Sequence, residues 1–172
     1  MSGALRILAK RWPLIAALVS AAMLIAAHGF QLAGYTPCDL CLRQRQVYWV
    51  ALAVALIGVG LQVSRPVIGR WPVKLAIGAL ALIFLFGAGL AGWHAGIEWK
   101  LWPGPACGGS DGGPVTLESM DAALNGRTRL VLCDEAAWRL LGVSMAGYNA
   151  VISLGLAVLS ALALRRREPA LG

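Results

Sequence analysis

Four long apolar stretches, each bounded by charged or turn-forming residues, set the frame of this chain. No formal charge occurs between Arg11 and Asp39, and positions 13–32 are almost wholly apolar. Further uncharged stretches cover 46–64, 75–97 and 140–164. About 20 residues rising about 1.5 Å each take a helix across about 30 Å of hydrocarbon. The pattern therefore predicts four membrane-spanning helices, at about 12–33, 44–64, 73–95 and 143–164. Gly58, Gly60, Gly78, Gly87, Gly89 and Gly155 fall inside them. Such glycines are costly in a soluble helix, whereas in a membrane small residues let helices approach closely.

The first stretch follows Arg6, Lys10 and Arg11, as the core of a signal peptide would. It is longer than the roughly 7–15 apolar residues of a cleaved signal, and another span follows at once, so it is expected to be retained.

Composition agrees with this reading. Apolar residues make up 59% of the 172 and charged residues 13%, about half the roughly 25% of a soluble domain. Mean hydropathy is +0.71. A chain this short has too much surface for its volume to hide that many apolar side chains from water. Disorder is excluded, since disordered chains are poor in hydrophobics and rich in charge. The expected fold is an all-α membrane protein: a single four-helix bundle over 1–172, with a long second outer loop at 96–142.

The net charge of +7 suggests nucleic-acid binding until its placement is considered. Arg6, Lys10 and Arg11, then Arg65, Arg70 and Lys74, then Arg165, Arg166 and Arg167 all fall on one side of the predicted bundle, with Glu168 the only acid there. The other side carries Arg43, Arg45, Lys100, Arg127, Arg129 and Arg139 with the remaining seven acids. The positive-inside rule then puts both termini in the cytoplasm, and no nucleic-acid partner is expected. Trp12, Trp49, Trp71, Trp93 and Trp138 lie near span ends, where amphipathic rings favour the headgroup zone.

All four cysteines lie on the non-cytoplasmic side. Cys38 and Cys41 form a C-x-x-C in the short first loop; Cys107 and Cys133 lie in the long second one. An even count on the oxidising side of a bacterial-type inner membrane predicts two disulfides, and four cysteines allow three connectivities. A bridge between Cys107 and Cys133 is explicable as a structural staple. A two-residue spacer adds little stability, whereas C-x-x-C is the recurrent geometry of reversible dithiol chemistry. The wide second spacing does not suit paired zinc knuckles, so no metal is expected. Leu42 after Cys41 excludes the C-x-x-C-H of covalent haem.

Arg45 follows Cys41 by four positions and shares its face once the chain is helical. A guanidinium beside sulfur and a helix N-terminus both favour thiolate, the nucleophile of disulfide exchange. His94 and His28 are predicted at the outer ends of spans three and one, which allows an alternative function: a membrane electron-transfer subunit with bis-His haem. The segment 102–109, rich in Pro and Gly, predicts an exposed irregular stretch bearing Cys107. A short amphipathic helix is expected from Thr116, with Leu117, Met120 and Leu124 on one face. Another short helix is expected from Cys133 through Trp138, and Ser144 is expected to cap span four.

Taken together, the motifs resemble the disulfide-bond formation protein B (DsbB) family. The resemblance rests on Pro37-Cys38-Asp39-Leu40-Cys41-Leu42-Arg43-Gln44-Arg45, on the stretch from His94 to Cys107, and on Cys133-Asp134-Glu135-Ala136-Ala137-Trp138-Arg139-Leu140-Leu141-Gly142. It runs from the first helix to the fourth. It implies a thiol oxidase of the bacterial inner membrane, its cysteine loops in the periplasm. Such an enzyme reoxidises a DsbA-like dithiol protein and passes the electrons to membrane quinone, ubiquinone or menaquinone. It implies redox-active disulfides Cys38–Cys41 and Cys107–Cys133, with Cys107 forming the mixed disulfide with the partner. Electrons then reach the first pair through an inter-loop disulfide such as Cys38–Cys133. Arg45 and, by its spacing from Cys107, His94 are implied as quinone-site residues. Gln44 occupies a position that is acidic in some members of the family.

Overall fold

A computed structural model describes residues 11–35, 37–64, 71–104, 117, 121, 124–125 and 133–165. Four helices dominate: α1 (Trp12–Leu32), α2 (Asp39–Val63), α3 (Trp71–Glu98) and α4 (Met145–Arg165). All four are long and apolar enough to cross a membrane. The protein is an all-α four-helix membrane bundle.

The helices pack mainly in chain order, α1 on α2, α2 on α3 and α3 on α4, and the α1–α4 seam is only lightly packed. The buried cluster is built from small and large residues in alternation, among them Ala16, Ala51, Ala55, Leu80 and Phe84. Packing must supply the association energy, because lipid tails are as apolar as leucine and no hydrophobic effect separates helix from lipid. Two of the predicted glycines serve this purpose. A Cβ on Gly87 would lie 3.0 Å from Val47 of α2, and one on Gly58 would lie 3.1 Å from Pro13 of α1.

Several boundaries differ from the sequence expectation. Helix α2 begins at Asp39, ahead of 44, because Cys38 in extended conformation caps it: its Sγ accepts from the Cys41 N–H at 3.3 Å. The charged turn from Asp39 to Arg45 is thus helical, and Arg43 Nε donates to Asp39 Oδ2 at 2.8 Å. Helix α3 extends to Glu98. Trp12 is not an interfacial ring but fully buried; its Nε1–H donates to Ser160 Oγ of α4 at 2.9 Å, closing the lightly packed seam at one end.

The segment 133–138 forms turns and bends in place of the expected short helix. It leads into a two-stranded antiparallel hairpin, β1 (Arg139–Leu140) and β2 (Val143–Ser144), with Leu141 and Gly142 at the tip. Both tip residues have positive φ, 51° and 80°, as a tight two-residue hairpin turn requires. Ser144 then caps α4 as expected, its Oγ accepting from the Gly147 N–H at 3.2 Å. Leu117, Asp121 and Leu124 are helical, in agreement with the predicted amphipathic helix; Thr116 and Met120 lie outside the described residues.

Candidate active site

The site grows from the N-terminal turn of α2. Helical periodicity puts Cys41, Gln44, Arg45 and Tyr48 on one face, and all four line a cavity of about 330 Å³. The same spacing on α4 presents Met145, Tyr148, Asn149 and Ile152 to it, and His94 with Glu98 comes from the last turn of α3. Met23, Ala27 and Phe30 of α1 close the other side. The cavity therefore lies at the cysteine-bearing end of the seam that Trp12 closes at the opposite end.

Cys38 and Cys41 are both free thiols, and the Cys38 thiol donates to Cys41 Sγ at 2.9 Å. This hydrogen bond, together with burial, holds the Cys38 thiol well above its ordinary pKa, with His94 opposing the shift. Cys38 is 4% exposed, whereas Cys41 is half-buried and forms part of the cavity wall. Both cysteines line the cavity, and Cys41 is the more exposed residue of the two.

His94 is buried, and both its ring nitrogens are engaged. Nε2 lies 3.7 Å from Cys38 Sγ and 3.8 Å from Glu98 Oε1. Nδ1 accepts from the Gln44 amide at 2.8 Å. The chain of polar groups continues away from the cysteines: Asn149 Nδ2–H donates to Gln44 Oε1, and Tyr48 O–H donates to Asn149 Oδ1 at 2.6 Å. Ser153 Oγ joins Tyr48 at 2.9 Å. In a low-dielectric interior each of these groups needs a partner, and the network supplies one to every member. Glu98, buried at the end of α3, is held by a hydrogen bond from Ser144 Oγ.

Arg45 lines the same cavity but is not directed onto the sulfur. Its Nη1 donates to Gln31 Oε1 at 2.5 Å and its Nη2 to the Ala27 carbonyl at 2.9 Å, both on α1. The guanidinium thus satisfies main-chain and side-chain acceptors at the exposed end of α1 while its charge remains at the cavity wall.

Cys133 is buried at 3% exposure and packs with Cys38, Leu40 and Ile97. Tertiary structure thus brings three of the four cysteines to one place; Cys107 lies outside the described residues. The segment after Cys133 is tied over the site. Lys100 Nζ pairs with Asp134 Oδ2 at 2.5 Å, and Arg139 Nη2 donates to the Glu98 carbonyl at 3.4 Å. The Trp138 ring stands 5.4 Å from Phe30 and 6.3 Å from Tyr148, bridging α1 and α4 across the cavity.

His28 does not share the site. It is exposed on α1, donates Nδ1–H to the Leu24 carbonyl at 2.8 Å, and stands edge-on to Trp49. The two histidines of the haem alternative are thus not gathered around one cavity. Glu98, Asn149, Tyr48 and Ser144 were not singled out from sequence as site residues. The signal that marks Asn149 is polarity inside an apolar span, which usually carries a functional or packing reason; Glu98 falls just past the predicted end of the third span.

A family model described as disulfide bond formation protein DsbB matches residues 9–163. Comparisons with curated proteins and with solved structures gave no match. The chain belongs to the DsbB family, as the motifs predicted, and is a membrane oxidoreductase of disulfide-bond formation.

Proposed function

We propose that this member of the DsbB family is a quinone-reducing thiol oxidase of the bacterial inner membrane, with its cysteine loops in the periplasm. In this reading it reoxidises a DsbA-like dithiol protein. The observation that carries the reading is the shared wall of one cavity: Cys41, Arg45 and His94 face the same space at one end of a membrane bundle. Its volume, about 330 Å³, leaves room for a ring headgroup and lies in the range of about 300–1,000 Å³ typical of ligand sites lined mainly by apolar groups. Leu24, Phe30, Met145 and Ile152 supply apolar wall; Arg45, Gln44 and His94 supply polar groups suited to quinone oxygens. The residues therefore fit a quinone headgroup, which when bound supplies a two-electron, two-proton acceptor.

In this reading the chain's own part is a relay of thiol–disulfide exchanges. A partner thiolate attacks Cys107 of the Cys107–Cys133 disulfide and displaces Cys133; the partner's second thiol then displaces Cys107, and the partner leaves with its own disulfide formed. The packing of Cys133 against Cys38 supports its exchange with the first pair. Each exchange breaks one S–S bond and forms another, so the electron pair moves inward without loss. Re-forming the Cys38–Cys41 bond releases two electrons and the thiol protons. Cys38 and Cys41 both line the acceptor space, and Glu98 stands at its edge, 3.8 Å from His94 Nε2. A lipid-soluble terminal acceptor meets a thermodynamic need, because a periplasmic oxidant near −120 mV cannot be recharged by ordinary disulfides.

The experiment is direct. Purified protein in detergent is mixed with a reduced DsbA-type protein and a short-chain quinone, and partner thiols are followed against quinone absorbance. Loss of two thiols per quinone reduced is expected. Absence of quinone-dependent thiol loss with all four cysteines intact would overturn the proposal.

A further inference from the structure

We infer that the reduced Cys38–Cys41 pair forms, together with His94, a binding site for one thiophilic divalent cation of the zinc and cadmium type, a site that closes when the pair is oxidised. The two Sγ atoms and a His94 ring nitrogen all lie within 4.8 Å of one another. With zinc bonds of about 2.3 Å to sulfur and about 2.0 Å to nitrogen, tetrahedral donors stand roughly 3.5–3.8 Å apart. The Cys38 Sγ to His94 Nε2 distance of 3.7 Å already meets that requirement. The sulfur pair at 2.9 Å needs to open by only about 1 Å. Two thiolates and one imidazole with an open fourth position form a donor set typical of accessible zinc sites.

The surroundings favour a cation. Glu98 Oε1, 3.8 Å from His94 Nε2, adds a third anionic group, and its other oxygen is held by Ser144. The nearby Arg45 guanidinium is tied to Gln31 and Ala27 on α1. Two thiolates and a carboxylate together balance the dication and that guanidinium. Cys41 lines the cavity, which gives the ion an approach.

The imidazole must bind through Nε2 in its unprotonated form, with Nδ1–H donating to a second group. The polar chain behind His94 permits this. Gln44, Asn149, Tyr48 and Ser153 are amides and hydroxyls, and each can exchange donor for acceptor by a flip or rotation. Reversing the chain lets Gln44 Oε1 accept from Nδ1–H. On binding, the metal replaces two thiol protons, which are released, and no electrons move. Oxidation of the pair removes both thiolate donors. The site thus belongs to the reduced state, and a bound ion holds the pair reduced until it leaves.

The test uses full-length protein in detergent with Cys107→Ser and Cys133→Ser, reduced, freed of reductant and titrated with cadmium chloride. Neither quinone nor partner is present, so the result is independent of the reading under Proposed function. A thiolate-to-cadmium ultraviolet band saturating at one ion per chain is expected, as is its absence when the pair is first oxidised. His94→Ala should weaken binding about tenfold or more. A band that does not saturate, that survives oxidation, or that keeps its affinity in a folded His94→Ala protein overturns the inference. If that variant does not fold, maleimide labelling decides with His94 intact: one equivalent of zinc should protect Cys41, and unprotected labelling overturns the inference.

Discussion

Cys38 Sγ and His94 Nε2 stand 3.7 Å apart although 56 positions separate them in the chain. The contact couples the cap of α2 to the last turn of α3, and through Gln44 and Asn149 it reaches α4. Removing a member of this chain leaves an atom on each neighbour buried without its partner.

Gln44 is the member with most at stake, because it links His94 to Asn149 from a position 7% exposed. Gln44→Leu strands both partners. An unpaired buried polar group costs about 1–3 kcal/mol, so a lowered unfolding midpoint is expected in detergent. Thermal unfolding checks this; a midpoint equal to that of the parent protein would show that the network contributes nothing.

Arg45 presents its charge to the cavity wall while gripping α1. Arg45→Ala is expected to raise KM for quinone about tenfold, the order of a lost hydrogen bond to a charged group, with little change in KM for the dithiol partner. Steady-state kinetics with each substrate varied in turn separates the two. Equal effects on both would count against a quinone-site role.

The hydrogen bond to Cys41 and burial both raise the Cys38 pKa, so the reduced protein holds the Cys38 proton where an ordinary thiol, near about 8.5, has lost it. Two consequences follow. Alkylation of Cys38 should keep accelerating with pH beyond the range in which a free thiol levels off. Above that range the folded state binds more protons than the unfolded one, so stability of the reduced protein should fall as pH rises, and Cys38→Ser should remove that component. Labelling resolved by mass spectrometry, with melting curves against pH, tests both; a Cys38 profile matching a model thiol would refute the assignment.

At the opposite end of the bundle, Trp12 Nε1–H and Ser160 Oγ close the α1–α4 seam. Ser160→Ala leaves the indole N–H buried and unpaired, for a loss of about 1–3 kcal/mol. Thiol oxidation at permissive temperature should stay within about twofold of the parent, since the two ends share no partner. A large loss of turnover in folded protein would mean that the seam gates the cavity.

The four spans were legible from sequence, because span length is a local property of the chain; the expectation that all four cysteines lie outside them fails at Cys41, which the early start of α2 takes into the second span. The C-x-x-C with Arg45 one turn on was legible for the same reason, and the helix does put Cys41 and Arg45 on one cavity wall. The early start of α2 was missed because a cysteine acting as helix cap leaves no ordinary Ser, Thr, Asp or Asn signal. The hairpin at 139–144 was missed because apolar residues there read as the start of a span.

What only the tertiary structure decided is which side chains meet. A helix that is apolar all round carries no stripe to show which face turns inward, so the sequence is silent on helix rotation. Rotation is what turned His94 toward Cys38, set Gln44 between His94 and Asn149, drew Trp12 inside, and gave Arg45 its acceptors on α1. The chain by itself therefore determined a four-helix membrane bundle with a C-x-x-C at the start of its second helix. Close packing of four nearly uniform apolar helices, with their few polar groups forced to find one another, built the site.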